Sequence, residues 1–317
     1  MTIFLLLVGL GLIVLGANWL VNGATGIARR AGLNEFVIGL TIAGFGTSTP
    51  ELVVSLDGAI QGNSDIAVGN VMGSNIFNIL FILGLTALVY PVSMTDENRR
   101  KDIPITLCVS ALILFLGKSH SFFGIGKEDS LTRPEAVVCL IIFAIYIFYT
   151  FKSSGKTMQS GTIDAGRKLS SSILLAISGL AALIGGGELF VHSATDFARQ
   201  IGVSDKFIAV TILAGGTSLP ELATSLVAAF KGYDRLALGN ILGSNVFNML
   251  IILGASAMIT PLSFGSVSII DASVIILSCV LLLLWGYTGR RLRIDRWEGA
   301  LMLLAFAAYY VYIFNKL

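Results

Sequence analysis

Glu51 and Glu221 each stand well inside a long apolar run. An isolated ionisable side chain at mid-bilayer costs on the order of 3 kcal/mol or more, so each glutamate marks a site whose partners must be named. Helical spacing names them. Thr41, Gly44, Ser48, Glu51 and Ser55 step by three or four residues along one face of an α-helix, and Thr211, Ala214, Ser218, Glu221 and Ser225 repeat the pattern. In the following apolar runs Asn70, Ser74 and Asn78 step by four, matched by Asn240, Ser244 and Asn248. Hydrocarbon satisfies none of these groups, so the four stripes are expected to face one another. Asn75 and Asn245 fall off the stripe and are expected to bond between helices.

Two prolines shape the backbone beside the glutamates. Pro50 has no N–H and crowds the carbonyl four residues earlier, which predicts a helix break near Gly46–Thr47; Pro220 predicts the same near Gly216–Thr217. The resulting donor set is carbonyls near Gly44, Thr47, Ala214 and Thr217, hydroxyls of Ser48, Ser74, Ser218 and Ser244, two carboxylates, and the Asn78 and Asn248 amides. Every donor is oxygen, which suits hard cations such as Ca²⁺ and Na⁺ rather than Zn²⁺ or Cu⁺. No Lys or Arg lies in the constellation to hold an organic anion. Asp57, nearer the end of its run and matched by Val227, reads as peripheral. The spacings Gly69/Gly73 and Gly239/Gly243 permit the close helix approach that such a site needs.

The elements that position these residues follow from composition. Of 317 residues, 13% are charged, half of the roughly 25% usual in soluble domains, and the mean hydropathy is +0.86. A net charge of +2 excludes a nucleic-acid binder driven by bulk positive charge. Cys108, Cys139 and Cys279 lie in apolar runs and are expected to be buried, reduced thiols. The expected class is an all-α polytopic membrane protein with ten transmembrane helices, near 3–21, 36–60, 66–90, 103–117, 134–151, 169–191, 207–230, 236–258, 268–287 and 298–315. The fourth is short and is expected to tilt little or begin earlier. With the N-terminus outside, fifteen of the twenty-one Lys and Arg fall on the cytoplasmic side, which predicts both termini outside.

A shift of 170 residues lays Asn34–Val92 over Ser204–Leu262 without a gap, with 27 of 59 pairs identical. The densest blocks pair GTSTPELVVSL with GTSLPELATSL and GNVMGSNIFNIL with GNILGSNVFNML. Each copy covers five spans, and an odd number inverts the second copy relative to the first. Two inverted five-helix repeats about an axis in the membrane plane are the architecture of many secondary transporters. The expected organisation is a first repeat over 1–151 with its core at 36–90, a cytoplasmic linker at 152–168, and a second repeat over 169–317 with its core at 207–258. Spans 1 and 6, loosely matched and beside the site, are candidates for the moving part.

The paired blocks GTSTPEL and GTSLPEL, each followed by GNxxGSNxFN, closely resemble the two α-repeats of sodium/calcium exchangers of the cation/calcium antiporter superfamily, in the prokaryotic form. The resemblance implies Na⁺-driven Ca²⁺ movement by alternating access, three Na⁺ for one Ca²⁺. It implies a Ca²⁺ site of Glu51, Glu221 and the carbonyls of Thr47 and Thr217. Flanking Na⁺ sites follow from the Gly44 carbonyl with Ser48 and Ser74, and the Ala214 carbonyl with Ser218 and Ser244, sharing the two glutamates. Asn78 and Asn248 line the site. Asn248 stands where several relatives, including the potassium-dependent branch, carry Asp, which argues against K⁺ co-transport. The proton-coupled branch carries a GNxxE-type block in place of GTSxPE, so H⁺/Ca²⁺ exchange is the weaker alternative.

Other classes fare worse. An intramembrane hydrolase needs a base beside its serine; His120 and His192 lie in or beside loops and have no match in the repeat. A cation channel is disfavoured by inverted halves around broken helices. The expectation is therefore a transporter without a cofactor, whose cargo is Na⁺ and Ca²⁺. It is expected in the lipid bilayer of the cell (inner or plasma) membrane, functional as a monomer, with no nucleic-acid partner.

Overall fold

An apolar run in lipid must bond its own backbone, so these runs form helices. The computed structural model describes residues 1–124, 128–153, 168–203, 212, 214–288 and 292–316. Its principal helices are α1 (Thr2–Ala31), α2 (Glu35–Thr47), α3 (Thr49–Ile60), α4 (Ser64–Val89), α5 (Ile103–Gly117), α6 (Arg133–Ser153), α7 (Leu169–Gln200), α8 (Leu219–Phe230), α9 (Asp234–Ile259), α10 (Ile269–Thr288) and α11 (Arg296–Lys316). Seven of the described helices are long and apolar enough to cross a membrane, and α2 with α3, bent by 46°, makes an eighth. A helical turn over Asn98–Asp102 runs directly into α5, so the short fourth run does begin earlier. The start of the seventh run, including Thr211, and most of the 152–168 linker lie outside the described residues.

The chain forms two compact units, Met1–Pro50 with Thr150–Ile241, and Glu51–Tyr149 with Leu242–Leu317. Each unit draws on both sequence repeats, and the divisions fall inside α3, α6 and α9.

In the first unit α1 and α7 pack through a seam of small residues. A methyl at Gly16 would lie 2.7 Å from the Gly179 carbonyl oxygen, and one at Gly179 would lie 2.8 Å from the Gly16 oxygen. Gly9 and Gly186 stand in the same reciprocal relation, each 3.0 Å from the other's carbonyl. Glycine is needed here because the backbones themselves touch. Outside the seam, Phe4, Leu7, Val14 and Leu15 of α1 and Leu174 and Ile177 of α7 are exposed, an apolar surface suited to lipid.

The second unit is stapled by two short antiparallel ladders. Val92 pairs with Ile294 and Ser93 with Arg293; Ser130 pairs with Ser263 and Leu131 with Leu262. Each ladder joins one half of the sequence to the other. Two arginines act in the same reciprocal way on helix C-termini, whose last carbonyls lack helical partners. Arg133 donates to the Met258 and Ile259 oxygens at 3.1 and 2.9 Å, and Arg296 donates to the Val89 oxygen at 3.4 Å.

Three smaller findings adjust the sequence reading. Cys139 and Cys279 are buried free thiols, but Cys108 is exposed because it lies on the outward side of α5. His192 lies within α7 rather than in a loop, exposed and 3.3 Å from Asp196. Asp102, at the start of the fourth run, is buried and accepts a hydrogen bond from Asn98 Nδ2 at 2.8 Å.

Candidate cation site

Proline chemistry sets the local backbone. The helical run ends at Thr47, Ser48 departs from helical geometry at φ −81° and ψ 11°, and α3 restarts at Thr49. Pro50 cannot bond the Gly46 carbonyl, and Thr49 Oγ1 takes its place at 2.8 Å. In the second copy the break falls at Thr217–Ser218, with Pro220 in the first turn of α8. Both breaks lie within two residues of the predicted positions. Residue 219 is Leu, so the hydroxyl that caps Gly46 has no counterpart there.

A carboxylate–hydroxyl pair lies in each unit. In the first, Ser48 Oγ donates to Glu221 Oε1 at 2.8 Å, and both residues are fully buried. Thr47 Oγ1 lies 3.3 Å from Asn240 Oδ1 and 3.4 Å from the Gly44 oxygen, which also accepts from the Ser48 N–H at 3.2 Å. In the second, Ser74 Oγ donates to Glu51 Oε1 at 3.4 Å, again between buried residues. Ser218 and Ser244 are fully buried as well. Thr217 is half-buried, and its Oγ1 has no hydrogen-bond partner among the described residues. Asp57 is exposed and accepts from Gln61 at 2.6 Å, consistent with a peripheral place. Thr41 is buried, its hydroxyl turned back to the Val37 oxygen at 2.7 Å.

Each glutamate is held from behind by an asparagine. Asn70 Nδ2 donates to the Glu51 carbonyl at 3.1 Å and to Ser55 Oγ at 2.9 Å; Asn240 Nδ2 donates to the Glu221 carbonyl at 3.3 Å and to Ser225 Oγ at 2.9 Å. The spacing placed Asn70 and Asn240 on the polar stripe, but not this clamp on the glutamate backbone. Their retention in both repeats was the available signal. Asn78 and Asn248 are fully buried, each at the start of a π-helical turn, over Phe77–Leu83 and Asn248–Ile252. Such turns shift side-chain phase within a helix and recur at functional sites.

Close approach is uneven. A methyl at Gly239 would lie 2.2 Å from the Phe36 oxygen, so α9 and α2 touch backbone to backbone in the first unit. A methyl at Gly69 or Gly73 would meet no described residue within 4 Å. The expectation of tight packing at both GxxxG spacings therefore holds at Gly239 alone of these three. Among the described residues no cluster of three or more His, Cys, Asp or Glu could hold a metal. Carboxylate, hydroxyl, amide and carbonyl oxygens in a buried setting are a donor set for Na⁺ or Ca²⁺.

The sequence matches the family model described as sodium/calcium exchanger protein over residues 1–152 and 171–315. The chain belongs to the sodium/calcium exchanger family. Other exchangers and antiporters align over nearly its whole length. The putative antiporter CaxA of Alkalimonas amylolytica is 38% identical, covering 99% of both chains. The sodium/calcium exchanger MaX1 of Methanosarcina acetivorans is 32% identical, covering 98% of this chain and 97% of the relative. A solved structure of the sodium-calcium exchanger NCX_Mj superposes with a TM-score of 0.85 at 31% identity, covering 98% of each chain. This exchanger is thus a multi-pass membrane antiporter rather than an enzyme, and cation/calcium antiport is its class of activity.

Proposed function

We propose that this exchanger moves Ca²⁺ against Na⁺ by alternating access, three Na⁺ for one Ca²⁺, so that each cycle moves one net charge and needs no K⁺. The observation that carries this reading is the pair of fully buried carboxylate–hydroxyl contacts at repeat-related glutamates, each glutamate backbone clamped by an asparagine. A buried carboxylate with hard oxygen neighbours is stabilised by a cation that neutralises it. Glu51, Glu221 and the carbonyls of Thr47 and Thr217 are assigned to Ca²⁺. Gly44, Ser48 and Ser74, and Ala214, Ser218 and Ser244, are assigned with the same glutamates to Na⁺. Asn78 and Asn248 line the path as neutral oxygen donors, which sets the charge of the site at two carboxylates and supports independence from K⁺.

The architecture proposed is ten transmembrane helices in two inverted five-helix repeats, 1–151 and 169–317, with both termini outside the cell membrane and a single chain as the working unit. The ladders that join the two sequence halves, the paired arginine caps and the reciprocal glycine seam support it. That seam also supports α1 and α7 moving together as one element. MaX1 bears the name of a sodium/calcium exchanger.

The test is ⁴⁵Ca²⁺ uptake into proteoliposomes with Na⁺, K⁺ and H⁺ gradients imposed one at a time. An outward Na⁺ gradient is expected to drive uptake without K⁺, and an inside-positive potential to accelerate it, since one net positive charge leaves with each Ca²⁺ taken up. Uptake driven by a proton gradient alone would assign the chain to H⁺/Ca²⁺ exchange, and uptake without any counter-ion would make it a channel.

A further inference from the structure

Four buried asparagines in the second unit form a closed set whose polarity is decided by two backbone carbonyls. Asn75 Nδ2 donates to the Asn245 carbonyl oxygen at 3.2 Å, and Asn245 Nδ2 donates to the Asn75 carbonyl oxygen at 3.4 Å. A carbonyl only accepts, so each of these amides must turn its NH₂ toward the opposite backbone. Its Oδ1 then faces the other way. There it meets the next amide: Asn248 Nδ2 donates to Asn75 Oδ1 at 3.0 Å, and Asn78 Nδ2 donates to Asn245 Oδ1 at 3.0 Å. The orientation passes on once more. With their NH₂ groups committed, Asn78 and Asn248 are left with Oδ1 as the free end, and both oxygens are buried without a hydrogen-bond partner among the described residues. All four side chains are at most 1% exposed, so bulk water does not satisfy those oxygens.

An asparagine amide can present either end, and the two ends are opposite in chemistry: the oxygen attracts a cation or its hydration water, whereas the NH₂ repels it. We infer that Asn75 and Asn245 are positioning residues, whose reciprocal pair locks Asn78 and Asn248 with their carbonyl oxygens presented to the transported hard cation. The inference rests on the exchange reading above and assigns a role to two residues that lie off the polar stripe. It also explains why position 78 or 248 in this chain is an amide: the residue must donate to the amide oxygen behind it while offering an oxygen in front, which an ionised carboxylate cannot do.

The experiment is a double-mutant cycle in proteoliposomes that show Na⁺-driven ⁴⁵Ca²⁺ uptake with the unaltered protein. Asn75→Leu frees the Asn248 amide to rotate, and it is expected to raise the half-saturating Ca²⁺ concentration about tenfold, with the maximal rate changed less than about twofold. Asn245→Leu is expected to do the same through Asn78. Asn248→Ala should raise half-saturation comparably, and Asn75→Leu with Asn248→Ala should be no worse than the more affected single variant. Asn75→Ser, smaller and polar, reports the same shift if the leucine variant does not accumulate. A residue that only holds helices together would lower the melting midpoint and the maximal rate and leave half-saturation where it was. That outcome, or effects that multiply in the double variant, overturns the inference. Absence of Na⁺-driven uptake in the unaltered protein would instead overturn the exchange reading itself.

Discussion

Glu51→Gln and Glu221→Gln are each expected to reduce Na⁺-gradient-driven Ca²⁺ uptake by about 100-fold or more. Glutamine has the size of glutamate and keeps an oxygen that can accept from Ser48 or Ser74, so the contacts at 2.8 and 3.4 Å survive in form. What is lost is one of two negative charges. Carboxylate and divalent ion at coordination distance attract by on the order of 10 kcal/mol at an effective dielectric near 20, before desolvation is subtracted. A remainder of about 3 kcal/mol is already a factor of roughly 100 in binding. Folding moves the other way. A buried carboxylate without its cation is costly, so both variants are expected to melt at or above the unaltered protein when Ca²⁺ is absent. Added Ca²⁺ should stabilise the unaltered protein through mass action and leave the variants unmoved. Uptake assays paired with melting curves separate lost binding from lost folding, and retained exchange in both variants would sink the carboxylate assignment.

The second large effect is expected far from any charge. Gly16→Leu should cost about 3 kcal/mol and remove most transport activity, whereas Gly11→Leu on the same helix should cost almost nothing. The difference lies in what a Cβ meets. At Gly16 it would stand 2.7 Å from both the Gly179 carbonyl oxygen and the Leu183 amide nitrogen, and backbone atoms cannot swing aside as a side chain does. The helices α1 and α7 would have to part along their seam, exposing Gly9 and Gly186 to the same loss of contact. At Gly11 a Cβ meets nothing within 4 Å, and the residue is exposed. Melting midpoints and uptake of the two variants check the contrast. Equal behaviour would show that the seam does not hold the pair together.

Much of the site was legible before any coordinates, because a membrane makes polar residues conspicuous. Glu51, Ser48 and Ser74, and their counterparts, stood out as polar groups inside apolar runs and as matches across a 170-residue shift; all six are buried. Pro50 and Pro220 announced their breaks because a missing N–H acts locally, and the observed breaks fall beside them. Cys108 was misplaced because an apolar helix in lipid has no polar face to tell inside from outside; burial there follows from neighbours.

By itself, then, the amino-acid sequence determined the solvent of this protein, its helical class, its duplication and which polar groups are candidate oxygen donors. Each of these depends on residue type and on spacing along one chain. Only the tertiary structure decided which donor meets which acceptor: Ser48 of the first copy on Glu221 of the second, Asn70 and Asn240 behind the glutamate backbones, and the polarity of the four-asparagine set. It also decided that a side chain at Gly16 would run into the Gly179 backbone and that one at Gly11 would meet no described residue within 4 Å. The reason is physical. A hydrogen bond's direction and a backbone contact at 2.7 Å depend on how residues from 19 to 173 positions apart are brought together, and no local periodicity carries that information.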